Sequence, residues 1–370
     1  MTLKNVKLGT VLEYEQPTKY IVESEDYSEE FRIPVLTAGK SFILGYTNES
    51  EGIFTDFPVI IFDDFTTAIK YVDFPFKVKS SAMKILKANK EIADIRYLYY
   101  KMLTISILCN EHKRYWISKF SQIEIPLPSI STQKKIAAIL DAADVYRQKT
   151  KTLIEKYDQL AQSLFLEMFG NPVTNSKKWP IVKLSEVGKL DRGKSKHRPR
   201  NAPELLGGKY PLIQTGDVAN SGGYITKYKS TYSEIGLRQS KMWKVGTLCI
   251  TIAANIAKTG ILTFGACFPD SVVGFIPNSK TNAEFVQHWM SFLQKILEDS
   301  APESAQKNIN LEILKNLDII LPPEILQNQF AERLNIILMQ KQQAQASLQK
   351  AEDLFNSLLQ KAFKGELVAE

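Results

Sequence analysis

LPSISTQKKIAAILDAADVYRQKTKTLIEKYDQLAQSLFLEMF occupies residues 127–169, and LPPEILQNQFAERLNIILMQKQQAQASLQKAEDLFNSLLQKAF occupies residues 321–363. The two stretches align without a gap at an offset of 194. Leu127-Pro128 matches Leu321-Pro322, Gln133 matches Gln327, and Ala137 matches Ala331. Leu140 matches Leu334, Leu160 matches Leu354, Ser163-Leu164 matches Ser357-Leu358, and Phe169 matches Phe363. Upstream, Ile117, Phe120, Ile123 and Ile125 fall opposite Leu311, Leu314, Leu317 and Ile319 at the same offset.

A second similarity lies at a shorter offset. Val6-Lys7-Leu8 reads like Val182-Lys183-Leu184, and Pro34 with Gly39 reads like Pro211 with Gly216, an offset of 176 or 177. The chain therefore holds two copies of one unit, the second longer by about 17 residues in its middle.

Each 43-residue stretch reads as one long helix. Phe330, Leu334, Ile337, Lys341, Ala344, Leu348, Ala351, Phe355, Leu358 and Ala362 alternate spacings of four and three, a heptad seam with one basic interruption. The first copy places Ile136, Leu140, Ala143, Arg147, Thr150, Ile154, Tyr157, Ala161, Leu164 and Met168 at the same positions, with Arg147 as its interruption. Proline turns, Pro126-Leu127-Pro128 and Pro322-Pro323, precede the helices, and Gly170-Asn171-Pro172 stops the first. Thr132 to Phe169 is about 38 residues, or about 57 Å at the helical rise. Globular helices average about 11–12 residues. Two matched seams of this length imply that the helices pack on each other. The first leaves head one for head two, and the second runs to the C-terminus. Pairing along the seams then requires antiparallel helices, a head at each end of a rod, an approximate two-fold axis, and a C-terminus near head one.

The heads, residues 1–127 and 171–322, read as α/β. They carry β-rich runs such as Val59-Ile60-Ile61-Phe62 and Leu248-Cys249-Ile250-Thr251-Ile252, and helical stretches at Asp94 to Leu108 and Ala283 to Leu297. Hydrophobic residues make up 44% of the 370-residue chain and charged ones 24%, which suits a buried core and excludes disorder. Cys109, Cys249 and Cys267 form no CxxC pair, so core positions are expected and zinc is not. No apolar segment follows Met1-Thr2-Leu3-Lys4 as in a secretory signal, and no run reaches membrane-spanning length. A cytoplasmic protein with no membrane partner is the expectation.

Chemistry is sparse. Gly188 to Ser195 satisfies the letters GxxxxGKS. A phosphate-binding loop also needs a helix after it, and here follow Lys196-His197-Arg198-Pro199-Arg200-Asn201-Ala202-Pro203. A basic DNA-facing loop is the better reading. Asp63 and Asp64 beside Lys70, Lys77 and Lys79 permit a metal-dependent nuclease, but polar residues ending a strand fit them better. His112, His197 and His288 form no HExxH or triad-like set, and Asn171-Pro172-Val173-Thr174 lacks the second proline and aromatic ring of an adenine-methylase tetrapeptide. Neither catalysis nor a metal is expected of this chain. A coiled-coil P-loop ATPase or nuclease-associated protein, and a structural coiled-coil interaction protein, are the competing readings.

The DNA-binding signal is stronger. Lys177 to Lys241 holds fourteen basic and five acidic residues, an excess of nine against +7 for the whole chain. Such charge suits phosphate contacts. Lys194, Lys196, Arg198, Arg200, Lys227, Lys229, Arg238 and Lys241 are the candidates in head two. Gln214 and Thr215, with Asn220, Arg238 and Gln239, are candidates for base edges. In head one the phosphate candidates are Lys70, Lys77, Lys79, Lys84, Lys113 and Arg114.

Together these features resemble the specificity subunits of Type I restriction-modification systems. The resemblance rests on Leu127-Pro128 followed by Gln133-Lys134-Lys135-Ile136-Ala137-Ala138-Ile139-Leu140-Asp141, on Phe165-Leu166-Glu167-Met168-Phe169-Gly170, and on Asn308-Ile309 before Leu321-Pro322-Pro323. Phe62 to Tyr71 and Gly246 to Thr251 are similar to segments of the recognition domains. The order and repetition of these stretches cover nearly the whole chain. The resemblance implies an α/β fold with two target-recognition domains, residues 1–127 and 171–322, separated by an antiparallel pair of coiled-coil spacer helices, residues 128–170 and 323–370. Each domain would read one half of a split site in double-stranded DNA. The helices would set the spacing and dock two methylation subunits, which restriction subunits join. Ile136, Leu140, Ile154, Tyr157, Leu164, Phe330, Leu334, Ile337, Leu348, Phe355 and Leu358 are the positions expected to serve helix pairing and docking. S-adenosylmethionine, ATP and Mg would act in the partners and no cofactor in this chain. Glu23, Glu25, Asp26, Glu29 and Glu30, an acidic start to head one, depart from a DNA-facing pattern.

Overall fold

The computed structural model describes residues 4–37, 41–107, 114–253, 256–300 and 309–368, with residues 295–300 as backbone only. The chain forms two compact units, Met1–Thr152 with Gln345–Glu370, and Leu153–Ala344. Each unit therefore contains one head and a segment of each long helix. Cys109 and His112 lie outside the described residues, as do Lys113, Gly39 and Asn308.

In the first unit, Lys4–Lys7 pairs antiparallel with Glu124–Leu127, from Lys4 opposite Leu127 to Lys7 opposite Glu124. This clasp brings the ends of the head together where the long helix begins. A four-stranded sheet has the order Leu12–Glu15, Met83–Ala88, Val59–Asp63, Ile69–Val72, all antiparallel. A three-stranded sheet has the order Ile43–Thr47, Ile33–Leu36, Lys77–Val78. Side chains alternate across a strand with period two. Accordingly Ile60 and Phe62 join a core with Leu86, Tyr97, Leu98, Trp116 and Phe120, while Val59 and Ile61 face Phe54, Phe76, Val78 and Ile85. A strand buried on both faces must be apolar throughout, which is why Val59 to Phe62 reads as an unbroken run.

The second unit repeats the plan. Ile181–Lys183 clasps Asp318–Ile320. A five-stranded sheet runs Gly188–Arg192, Val272–Pro277, Leu248–Thr251, Thr259–Leu262, Tyr224–Ile225, and a four-stranded one Ser230–Tyr232, Leu206–Leu212, Ala266–Cys267, Met242–Trp243. Leu248 and Ile250 face one core and Cys249 the other. Burial pushes the Cys249 and Cys267 thiols up, so both are neutral packing groups. The parallel pairing of Ile33–Leu36 with Lys77–Val78 returns here as Leu206–Leu212 with Ala266–Cys267. Tyr224–Ile225 is a fifth strand that the four-stranded sheet of the first head lacks among its described residues.

The long helices span Ile130–Phe169 and Glu324–Lys364. The first starts two residues before Thr132 because the Ser129 hydroxyl accepts from the Thr132 N–H at 3.2 Å, a helix cap. Gly170 and Gly365, both left-handed, close the ends. All twenty seam positions are buried or half-buried. Ile136, Leu140, Phe330, Leu334 and Phe355 are fully buried, whereas Ile154, Tyr157, Leu164, Ile337, Leu348 and Leu358 are half-buried. Within the first unit, Arg147 lies over the Phe355 ring at 4.2 Å and Lys151 pairs with Glu352 at 3.4 Å. Within the second, Phe165 and Phe169 meet Phe330, and Asp158 bonds Lys341. A later residue on one helix meets an earlier one on the other, so both segments are antiparallel. The end of the chain packs on the first head, where Phe363 contacts Tyr97. The head helices are Ile95–Leu103, shorter than the pattern from Asp94 to Leu108 suggested, and Ala283–Ser300.

Each long helix is tied to its head by one fully buried glutamine. Gln133 donates both amide hydrogens, to Ile92 O at 3.0 Å and Pro128 O at 2.8 Å, and its Oε1 accepts from the Asp94 N–H at 2.8 Å. Gln327 donates to Lys280 O at 3.1 Å and Pro322 O at 2.9 Å, and its Oε1 accepts from the Thr281 hydroxyl at 2.7 Å. Asp94 and Asn282, beside these bonds, cap the head helices through Tyr97 N–H and Phe285 N–H. Gln133→Leu keeps the volume and strands two carbonyls and an N–H. We expect a loss of about 3 kcal/mol, measured as a lower urea midpoint for the first unit.

His288 packs its ring against Phe330 at 5.3 Å, and burial pushes its pKa down to about 4. The unfolded imidazole titrates near 6.5, so the unfolded state binds the extra proton as pH falls between these values. Stability of the second unit should drop by about 2 kcal/mol from pH 7 to pH 5 through this group. In His288→Phe, thermal melts should lose that part of the acid sensitivity.

Candidate nucleic-acid interface

The strand Gly188–Arg192 lies antiparallel to Val272–Pro277, and the basic loop emerges from its end. Gly193 fits there because a Cβ would lie 2.3 Å from the carbonyl oxygens of Phe268 and Pro269. Gly193 N–H donates to Val272 O and Lys194 N–H to Phe268 O. The letters GxxxxGKS thus run along a sheet strand into an extended loop, and the next helical element is the single turn Pro203–Leu205. Backbone N–H groups of Gly193 and Lys194 are engaged by carbonyls rather than gathered around a phosphate.

The loop is braced from two sides. Ser240 donates its hydroxyl to Lys194 O at 2.8 Å, and His197 N–H donates to Gln239 Oε1 at 3.1 Å. Asp270 accepts from Arg200 at 2.5 Å, stands 3.9 Å from Arg198, and its carbonyl accepts from Arg192 Nε at 2.9 Å. Lys241 pairs with Asp191 at 3.3 Å and sits 3.7 Å over the Trp243 ring. The structure therefore brings Lys194, Lys196, Arg198 and Arg200 together with the segment from Arg238 to Lys241. Gln239 corrects our expectation of a base-reading side chain, since its carbonyl braces the loop and its amide nitrogen is buried.

Ile213 N–H donates to Cys267 O, one residue before the Phe268 carbonyl that holds Lys194; Gln214 is exposed and Thr215 half-exposed. Lys227 and Lys229 are exposed on another loop, on either side of Tyr228. Tyr228 is 47% exposed, and its ring meets Phe264 edge-on. An exposed ring between two cations suits a nucleic-acid surface. The run Lys227-Tyr228-Lys229 was its signal in the sequence. Asp270 could not be recognised that way, because its arginines lie about 70 residues away.

Head one differs. Lys77 is 3% exposed, paired with Glu49 at 2.6 Å and bonded to Glu51 O. Lys84 is 2% exposed and 3.4 Å from Asp64. Burial with a counter-charge removes both from the expected phosphate contacts. Lys79 bonds Glu25, which holds that carboxyl below its ordinary range and lifts the ammonium above its own. Lys70 and Arg114 are exposed. Lys113 lies outside the described residues. Asp63 accepts from the N–H groups of Phe65 and Thr66, and Asp64 from that of Trp116, so both aspartates organise backbone.

A family model described as the Type I restriction modification DNA specificity domain matches residues 2–157 and 176–349, once per copy of the repeat. The specificity subunit of the Type I restriction enzyme EcoR124I/EcoR124II of Escherichia coli is 51% identical over 309 residues, 76% of this chain and 72% of that one. The EcoBI specificity subunit of Escherichia coli is 25% identical over 280 residues, 66% of this chain and 59% of that one. The crystal structure of a Type I restriction-modification system S subunit from M. genitalium shares the fold, with a TM-score of 0.62 at 15% identity over 97% of this chain and 96% of that one.

Phosphate contacts set the salt dependence of binding, with a log–log slope of about 0.9 per contact. Lys194→Gln with Lys196→Gln should flatten that slope by about 1.8. Arg198→Gln with Arg200→Gln should flatten it by less, because Asp270 already offsets one of those charges. Fluorescence anisotropy with a random-sequence duplex, between about 50 and 200 mM salt, measures both.

Proposed function

The chain belongs to the family of Type I restriction-modification DNA-specificity subunits, and from that membership we propose how its parts divide the task. Each head reads one half of a bipartite duplex target. In the second head, the braced basic loop and the Lys227-Tyr228-Lys229 loop grip phosphates, while Gln214, Thr215 and Arg238 read base edges. The long helices set the spacing between the half-sites and dock two methylation subunits, which restriction subunits join.

The buried seam supports pairing rather than docking. Apolar residues that remain exposed supply the docking surface: Val145 and Leu354 in the first unit, Leu160 and Met339 in the second. Val145 corresponds to Met339 and Leu160 to Leu354 at the offset of 194, so each unit offers equivalent positions. Two equivalent patches suit two copies of one partner. Adenine methylation with S-adenosylmethionine, and cleavage with ATP and Mg, then belong to those partners in the cytoplasm. No helix among the described residues is long and apolar enough to cross a membrane.

The observation that carries the reading is the duplication of a whole head-and-helix unit, matched twice by one DNA-specificity family model. Its test is a head exchange. Residues 1–127 are replaced by the corresponding head of a relative, and methylated adenines are mapped in a host that also carries the methylation subunit. One half-site should change and the other remain. A change in both halves would refute independent reading.

A further inference from the structure

The two heads share a frame and differ in charge. Residues 1–127 hold 16 basic and 17 acidic residues, whereas residues 171–322 hold 20 basic and 12 acidic. Ion pairs occur in both heads, and in the second they include Lys183 with Asp318, Lys189 and Lys241 with Asp191, Lys209 with Glu234 and Lys315 with Glu312, but they fall on different cations. In the first head Lys77, Lys79 and Lys84 are held by Glu49, Glu25 and Asp64, and Lys87 lies between Glu15 at 2.8 Å and Asp56 at 2.9 Å. Glu49 also accepts the N–H groups of Glu23 and Ser24, which fastens the start of the acidic segment beside Lys77. In the second head Lys194, Lys196, Lys227, Lys229 and Arg238 are exposed with no carboxylate in ion-pair reach among the described residues. Its one strong neutralisation at the basic loop, by Asp270, is shared between Arg198 and Arg200.

A cation already paired with a carboxylate displaces little counterion from DNA, because its charge is offset before the duplex arrives. Salt-dependent, sequence-independent affinity scales with phosphates neutralised. We infer that the heads contribute unequally: the second is the electrostatic anchor that holds duplex DNA of any sequence, and the first adds discrimination through contacts that salt hardly affects. The inference rests on the DNA-reading role proposed above and assigns its two components to different heads. It also orders the encounter. Long-range attraction favours capture by the second head, and the first is then tested against DNA already held.

Two variants of the full-length chain test this, each losing four exposed charges. One carries Lys194→Gln, Lys196→Gln, Lys227→Gln and Lys229→Gln. The other carries Lys70→Gln, Lys90→Gln, Arg114→Gln and Lys119→Gln. With a random-sequence duplex, the second-head variant should lose up to about 3.6 from the log–log salt slope and bind about tenfold or more weakly. The first-head variant should keep its slope within about 0.9 of the unaltered chain. Equal losses, or a larger loss in the first-head variant, would overturn the inference.

The unaltered chain gives a second measurement that needs no substitution. With half-sites assigned by the head exchange, scrambling the half read by the first head should weaken binding while the slope moves by no more than about 0.9. A larger fall in slope would overturn the inference and leave the DNA-reading role standing. Duplex binding that shows no salt dependence in the unaltered chain would remove both.

Discussion

The molecule depends on where each long helix leaves its head, and a buried glutamine governs that point twice. Gln133 and Gln327 are both fully buried. A buried amide without partners is costly, and one with both hydrogens and its oxygen engaged is strongly oriented. Here the partners are the carbonyl just before the long helix, Pro128 or Pro322, and the turn that starts the head helix. One side chain therefore fixes two helices relative to each other. The clasp strands Lys4–Lys7 with Glu124–Leu127, and Ile181–Lys183 with Asp318–Ile320, then deliver the chain to that point in each unit.

The frame was legible in sequence because it is periodic and local. A seam spacing of four and three and a strand buried on both faces leave composition patterns, and the same pattern appeared twice. Charge partnerships were not legible. Lys77 meets Glu49 across 28 positions, and Lys84 meets Asp64 across 20. Nothing in a run of lysines marks which ones will be turned inward by the strands that carry them. Lys77 and Lys84 lie in strands whose flanks are buried, and a carboxylate from a neighbouring segment compensates each. The same limit hid Asp270 beneath the basic loop. It also made Gln239 look like a reader when it is a brace.

The seam carries a smaller lesson about divergence after duplication. Its basic interruption occupies matching positions, yet Arg147 and Lys341 are stabilised differently. Arg147 bonds Asp144 on its own helix and lies over Phe355. Lys341 reaches Asp158 on the other helix. A guanidinium is planar and can bond a carboxylate while stacking on a ring, whereas an ammonium acts as a point charge. Exchanging the two residues would keep the charge pattern and lose the geometry. A polar seam position can specify register at a cost in stability, and here each copy meets that demand with its own chemistry.

The glutamine bonds also explain how heads of different surface can occupy one frame. Gln133 reads two carbonyls and an N–H, and Gln327 reads two carbonyls and one hydroxyl. Five of these six contacts are made to backbone, which every residue type presents except for the N–H that proline lacks. Side chains of the head can therefore change without altering where its helix departs. The positions that carry charge lie elsewhere, on the loop after Gly188–Arg192, on the loop around Tyr228, and in the acidic segment of the first head. A near-neutral head and a strongly basic one can then share a fold, because the contacts that build the frame and the contacts that face a ligand involve different atoms.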